Sequence, residues 1–233
     1  MAIFALGDTH LSFSANKSMD VFPGWENYVE RLERNWRNLI TDEDTVVIPG
    51  DISWGMSLEQ AKADFAFLDS LPGTKLIGKG NHDYWWSTAT KMNAFFAENG
   101  FSTLHILHNN AYEVGDYVIC GTRGWFFDDD TPEAEKVLNR EVGRLNMAIS
   151  AAKETGKEPL VFLHYPPVTN TQECKPIMDV LRDSGVERVY YAHLHGNSIH
   201  YAFNGERDGM QFRLVSADGL NFCPLCIQRE VSK

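Results

Sequence analysis

The sequence lacks the marks of a membrane or secreted protein. No stretch approaches the roughly 20 apolar residues that a membrane span requires. The first residues, Met1-Ala2-Ile3-Phe4-Ala5-Leu6-Gly7-Asp8, hold no basic leader, and their apolar run is too short for a signal peptide. Cysteine is scarce, with only Cys120, Cys174, Cys223 and Cys226 among 233 residues, so a disulfide framework is not expected. These absences predict a cytosolic protein. Positive charge is also thin: 21 Lys and Arg stand against 32 Asp and Glu, a formal net charge of -11. Such a surface repels phosphate backbones, which argues against nucleic acid as a sequence-independent partner. Repeats, low-complexity tracts and linkers are missing too, so one domain over 1–233 is expected.

What is present is a regular alternation. Short apolar runs at 2–6, 45–48, 74–77, 117–120, 160–163 and 188–191 read as buried strands. Helical spacing lies between several of them. Trp25, Tyr28, Val29, Leu32, Trp36, Leu39 and Ile40 mark one helix. Ser57 and Gln60 form a capping-box pattern ahead of Ala61, Phe65 and Leu68. Thr131-Pro132 supplies an N-cap and a first-turn proline for a helix running toward Thr155. Strands alternating with helices predict an α/β domain with much parallel pairing. Near the end, 199–203 and 211–215 flank Asn204-Gly205 and predict an antiparallel hairpin.

The unusual polar residues fall at the ends of these runs. Asp8 and His10 follow the first, in Gly7-Asp8-Thr9-His10. Asp51 follows the second, and Asn81, His82 and Asp83 follow the third. His164 ends the run 160–163, and His193 and His195 follow 188–191. Ligands in open α/β sheets bind beyond the carboxyl ends of strands, so one cleft can gather all five blocks. Carboxylate, amide oxygen and imidazole together form a hard-to-borderline metal ligand set. Glycines before Asp8, Asp51 and Asn81 permit close backbone approach. A single residue between Asp8 and His10, and between His193 and His195, puts each pair on one side if the segment is extended. Each ligand alone reads as readily as a cap, a turn residue or a satisfied loop histidine. Five such coincidences at strand ends do not.

In this order, Asp-x-His, Gly-Asp, Gly-Asn-His-Asp, a lone His and His-x-His resemble the calcineurin-like metallophosphoesterase family, from Gly7 to Gly196. Two blocks depart from its usual pattern. Gly50-Asp51-Ile52-Ser53-Trp54 lacks the longer phosphatase form, which points away from protein-phosphatase specificity. Ala192 stands where glycine is usual, a small-for-small change. The resemblance implies a four-layer αββα sandwich, two packed mixed β-sheets flanked by helices. It implies a dinuclear site of transition-metal ions (manganese, iron, zinc or cobalt). Asp8, His10, Asp51 and His195 would hold one ion, and Asp51, Asn81, His164 and His193 the other. His82 would stand at the leaving-group oxygen, oriented by Asp83 through its second ring nitrogen. The implied chemistry is attack on a phosphomonoester or phosphodiester by hydroxide formed from a water bridging the ions. The acidic surface does not forbid a small phosphorylated substrate, because bound cations reverse the local field.

Softer candidates surround this set. Arg123, in Gly121-Thr122-Arg123-Gly124-Trp125, matches a phosphate fork or a surface salt bridge equally well. Trp54 and Trp85 are the aromatics expected nearest a substrate. Residues 12–24 are polar and aperiodic, the expected lid. Asp128, Asp129 and Asp130 read as a solvated turn before a helix. Cys223 and Cys226 have knuckle spacing without a second pair, and read as small residues in a turn. His105, His108 and His200 lack partners and read as structural. A binding scaffold without turnover, or a nuclease with a basic track, are the competing functions.

Overall fold

The structure, a computed structural model, describes residues 1–125 and 131–229. The acidic run Asp128 to Asp130 therefore lies outside the described residues. The chain alternates strand and helix through β1 (Ala2–Ala5), α1 (Tyr28–Leu39), β2 (Thr45–Ile48), α2 (Lys62–Ser70), β3 (Thr74–Ile77), α3 (Ala89–Asn99) and β4 (Leu104–Ile106). It continues through β5 (Ala111–Val114), β6 (Tyr117–Thr122), α4 (Pro132–Lys153), β7 (Glu158–Leu163), α5 (Lys175–Ser184) and β8 (Arg188–Tyr191). A 3-10 turn (Gly196–Tyr201), β9 (Gly205–Arg207), β10 (Met210–Leu214) and β11 (Leu225–Arg229) complete it.

Two mixed sheets result. One runs β11-β1-β2-β3-β4 and the other β5-β6-β7-β8-β10-β9. β1 through β4 pair in parallel, and β11 runs antiparallel to β1. In the second sheet β6, β7, β8 and β10 are parallel, while β5 and β9 are antiparallel edges. The strands β1 and β2 are buried along their whole length, as parallel strands covered on both faces must be. Ile3, Ala5, Val47 and Leu76 of one sheet meet Ile119, Leu160, Phe162 and Tyr190 of the other. The outer face of the first sheet packs against α1 to α3, and that of the second against α4 and α5. The four-layer sandwich is thus the one implied by the resemblance.

Local chemistry explains the elements. α1 buries Tyr28, Leu32 and Trp36, spaced four apart on one stripe. Each such side chain stabilises the fold by about 1.5–3 kcal/mol, and the Trp36 indole also donates to the Pro72 carbonyl at 2.9 Å. α4 opens as expected: Thr131 accepts from the Ala134 amide at 3.2 Å, and Pro132 fills the first turn. Half of the Ser57–Gln60 box forms, with Gln60 N donating to Ser57 Oγ at 3.2 Å, while the Gln60 carboxamide accepts from the amide of Met56, one residue before the cap, at 2.7 Å. It caps a preliminary turn, and α2 itself begins at Lys62.

The expected C-terminal hairpin is corrected. Residues 199–201 belong to the 3-10 turn, and β10 pairs with the short β9 and, in parallel, with β8. Gly196 enters with φ 57°, which curls the chain before a strand can start. Cys223 and Cys226 are free and exposed, with Cys226 on β11.

Candidate metal centre

All five blocks lie just beyond carboxyl strand ends: β1, β2 and β3 of one sheet, β7 and β8 of the other. The segments leaving β1 and β2 are laced together. Asp8 N donates to Gly50 O, His10 N to Asp51 O and Leu11 N to Ile52 O, all at 2.9 to 3.0 Å. The Tyr28 hydroxyl donates to the His10 carbonyl at 2.9 Å. Across the seam, His193 N donates to Asp8 Oδ2 at 2.9 Å.

The backbone here is not extended, contrary to the sequence reading of Asp8–His10. Asp8, His10, Asp51 and His193 have φ of 54°, 43°, 52° and 73°, in the left-handed region. Non-glycine residues there carry strain that the surrounding hydrogen bonds must offset. The expected close approach does occur: a Cβ on Gly80 would fall 2.0 Å from Asp51 Oδ1, and one on Gly50 2.4 Å from Gly80 N. Only glycine lets the β2 and β3 loops touch.

Two triads share one carboxylate. Ligand atoms of Asp8, His10 and Asp51 lie within 4.8 Å of one another, and so do those of Asp51, His164 and His193. Asn81 joins the second group, its Oδ1 lying 2.7 Å from His164 Nε2 and 2.9 Å from His193 Nδ1. His164 Nδ1 lies 3.2 Å from the Pro49 carbonyl, which assigns its proton to Nδ1 and turns the Nε2 lone pair inward. That lone pair, Asn81 Oδ1 and Asp51 Oδ2 are all electron-rich atoms facing one another. His10 Nδ1, His10 Nε2 and Asp51 Oδ2 are buried and have no hydrogen-bond partner among the described residues. The donor set therefore fits cations. His195 stands beside it, its ring 5.2 Å from that of His10.

Burial sets the electrostatics. Desolvation, followed by nearby charge, raises the Asp8 carboxyl to about 7 and lifts Asp51 well above the ordinary carboxylate value. Desolvation and neighbouring imidazoles hold His10 and His164 well below 6.5 and bring His193 to about 4. The histidines are thus neutral at pH 7, the form that ligates a metal.

Asp83 is placed differently from expectation. Its carboxylate accepts from the amides of Asp51 (2.8 Å), Ile52 (2.8 Å) and Gly80 (2.7 Å) and from the Trp85 indole (3.0 Å). It makes no hydrogen bond to the His82 ring, whose Nδ1 has no partner. Asp83 fastens the β2 and β3 loops together. Trp85 is corrected too: it is 2% exposed and packs on Phe65 at 4.8 Å, away from any substrate. Trp54 does reach the site, stacking on His10 at 4.8 Å and lying 4.5 Å from His82. Arg123 turns toward Glu141, 3.7 Å away, and over the Trp125 ring.

Three residues outside the expected ligand set stand at the site. Tyr165 lies with its ring 4.5 Å from that of His193. Lys17, in the segment expected as a lid, sits 3.1 Å over the Trp54 ring. Asp218, following β10, accepts from Gly196 N at 2.6 Å and bears electrostatically on Asp8 and His195. Tyr165 adjoins the lone histidine block, a signal that was available. Lys17 lies in the segment that follows the first block, and Asp218 lies well beyond the last.

A model of the calcineurin-like phosphoesterase family matches residues 1–197, spanning every ligand block. The chain belongs to the calcineurin-like phosphoesterases. The family carries out metal-dependent phosphoester hydrolysis. Among solved structures, the phosphoesterase fold resembles that of a protein of unknown function from Aquifex aeolicus, at 13% identity, TM-score 0.53, covering 97% of this chain and 95% of that one. A Thermus thermophilus protein is also similar, at 13% identity, TM-score 0.52, covering 83% of this chain and 81% of that one. Identities this low speak for the fold alone. Among curated proteins none matches this sequence.

Proposed function

We propose that this phosphoesterase hydrolyses small phosphomonoesters or phosphodiesters at a two-cation centre. Asp8, His10, Asp51 and His195 hold one ion, and Asp51, Asn81, His164 and His193 the other. The observation that carries the reading is Asp51, common to both triads, with a buried Oδ2 that has no hydrogen-bond partner. When bound, the ions supply Lewis acidity, activating water near neutral pH and taking up charge on phosphoryl oxygens.

The chain's own residues do the rest. His82 is held by its backbone amide, which donates to Asp51 Oδ1 at 2.7 Å. Desolvation keeps its imidazole below 6.5, so at pH 7 it is neutral and offers one N–H. That N–H suits a hydrogen bond to the leaving-group oxygen. Trp54 shields His10 and His82 from water on one side. Lys17, above Trp54, places a positive charge at the mouth without adding to the buried set.

Elemental analysis of the purified protein, paired with an aryl phosphate assay, tests the proposal. The wild type should carry two transition-metal ions per chain, and manganese, iron, zinc and cobalt all suit these ligands. Asp51→Asn should lose both metal and turnover. Full activity in Asp51→Asn protein would refute the shared-carboxylate assignment.

A further inference from the structure

A cavity of about 330 Å³ opens beside the metal centre, with His193 in its wall. It lies between the loop leaving β7 and the 3-10 turn that follows β8. Pro166, Thr169, Thr171, Gln172, Leu194 and Tyr201 complete the lining. Asn170 fixes these two walls together. Its amide donates to the Tyr201 carbonyl at 2.9 Å, and its Nδ2 to the carbonyls of His200 and Ala202, both at 3.1 Å. Thr169 stiffens the loop, accepting from the amides of Gln172 at 3.0 Å and Thr171 at 3.3 Å. The cavity is therefore preformed, and its volume falls at the lower end of small-molecule sites, roughly 300–1,000 Å³.

Its chemistry is selective. The protein carries a net charge of -11, yet among the described residues no Asp, Glu, Lys or Arg lines this cavity. A second phosphate would find no cation there, and a basic group no carboxylate. What the walls offer is hydroxyl and carboxamide, with the apolar faces of Pro166, Leu194 and Tyr201. The Gln172 carboxamide and Tyr201 hydroxyl form no hydrogen bond among the described residues, and the Tyr201 side chain is 47% exposed. Uncommitted donors and acceptors beside a flat ring suit an uncharged, hydroxylated ring.

We propose that this cavity is a subsite for the organic half of the substrate, a neutral hydroxyl-bearing ring of the nucleoside or glycosyl kind. The inference rests on the phosphoester reading above, because His193 joins the cavity to the metal centre. It makes the preferred substrate an ester of such a ring, and not a polyphosphate or a phosphoprotein.

Two measurements test it. With manganese-loaded protein, thymidine 5′-(p-nitrophenyl phosphate) should exceed methyl p-nitrophenyl phosphate in kcat/KM by about 10-fold or more, through KM. Tyr201→Ala and Gln172→Ala should each shrink that ratio several-fold. A ratio near one in the wild type, or one that neither variant changes, overturns the subsite. The second measurement needs no turnover. Saturation-transfer NMR on metal-free protein should show binding of thymidine or methyl glucoside that Tyr201→Ala abolishes, and which probe binds decides between nucleoside and sugar. Binding of neither overturns the proposal. Probe binding without hydrolysis of either diester or of p-nitrophenyl phosphate keeps the subsite and refutes the phosphoester reading instead.

Discussion

Replacing Asp83 by Asn tests the claim that this carboxylate builds the site from behind. One oxygen faces the amides of Asp51 and Gly80, and the other faces the Ile52 amide and the Trp85 indole. Every partner is a donor. In Asn, one oxygen becomes an NH2 group, so whichever way the amide turns, at least two donors lose their acceptor and meet another donor. Each buried donor left unsatisfied costs about 1–3 kcal/mol. Neutralising Asp83 also relieves its repulsion of Asp51 and Asp8, which offsets part of the loss in metal-free protein. Bound cations remove that relief, so the manganese-loaded protein should show the full effect. A loss of about 3 kcal/mol lowers Tm by about 6–12 °C in a chain of this size. Metal affinity should fall about 10- to 100-fold, because the Asp51 and Gly80 backbones lose their anchor. Thermal unfolding by circular dichroism and a competitive metal titration measure the two effects. A shift below about 2 °C in the loaded protein, with unchanged affinity, would refute the reasoning.

Four other variants probe separate parts. His82→Ala should retain its metal and lose about 10²- to 10⁴-fold in turnover of an aryl phosphate; loss of metal would instead make His82 structural. Gly80→Ala should displace Asp51 and strip the centre, since the new Cβ would fall 2.0 Å from Asp51 Oδ1. Gly143→Ala, with nothing within 4 Å on the exposed side of α4, should stabilise by about 0.5–1 kcal/mol; metal content and Tm of the pair give the contrast, and equal behaviour would contradict it. His108, remote from the ligands, is lowered from 6.5 to about 4 by burial and then by the Arg144 charge. The folded chain thus leaves this ring unprotonated where the unfolded chain protonates it, so its contribution is complete above pH 6.5 and is lost as pH falls toward 4. His108→Gln should flatten the pH dependence of the urea midpoint across that window by about one proton, and parallel curves for variant and wild type would be the refuting result.

The metal-centre residues were legible because their spacing relative to the strands is legible. A buried parallel strand is a short apolar run, and Asp8, Asp51, Asn81, His164 and His193 each stand directly after one. What was not legible is direction within loops. Asp83 adjoins His82 in sequence, but neighbouring side chains in a turn diverge, and Asp83 turns inward while His82 faces the site. Asp8 and His10 look like an extended pair until the left-handed backbone at both is seen, and no residue type announces that geometry. The hairpin misreading has a similar origin. Residues 199–203 alternate like a strand, but the chain curls from Gly196 through Tyr201, and β9 takes the antiparallel place beside β10 instead. Lys17 and Asp218 reach the site only through tertiary folding, from segments with no chemical signature. Trp85 and Trp54 look alike in sequence, and only packing shows one as core and the other as a wall of the site.

The candidate ligands come from both sheets, and the His193 amide donates to Asp8 across 185 positions of chain. Loop-closure entropy opposes contacts so distant in sequence until intervening structure has formed. A complete set of candidate ligands therefore requires both sheets to be in place. A chain in which only β1 to β4 have paired holds Asp8, His10, Asp51 and Asn81 but no second-sheet histidine, and should bind cations weakly. Tight metal retention then reports that the two sheets have come together, a timing signal for assembly as well as a chemical tool.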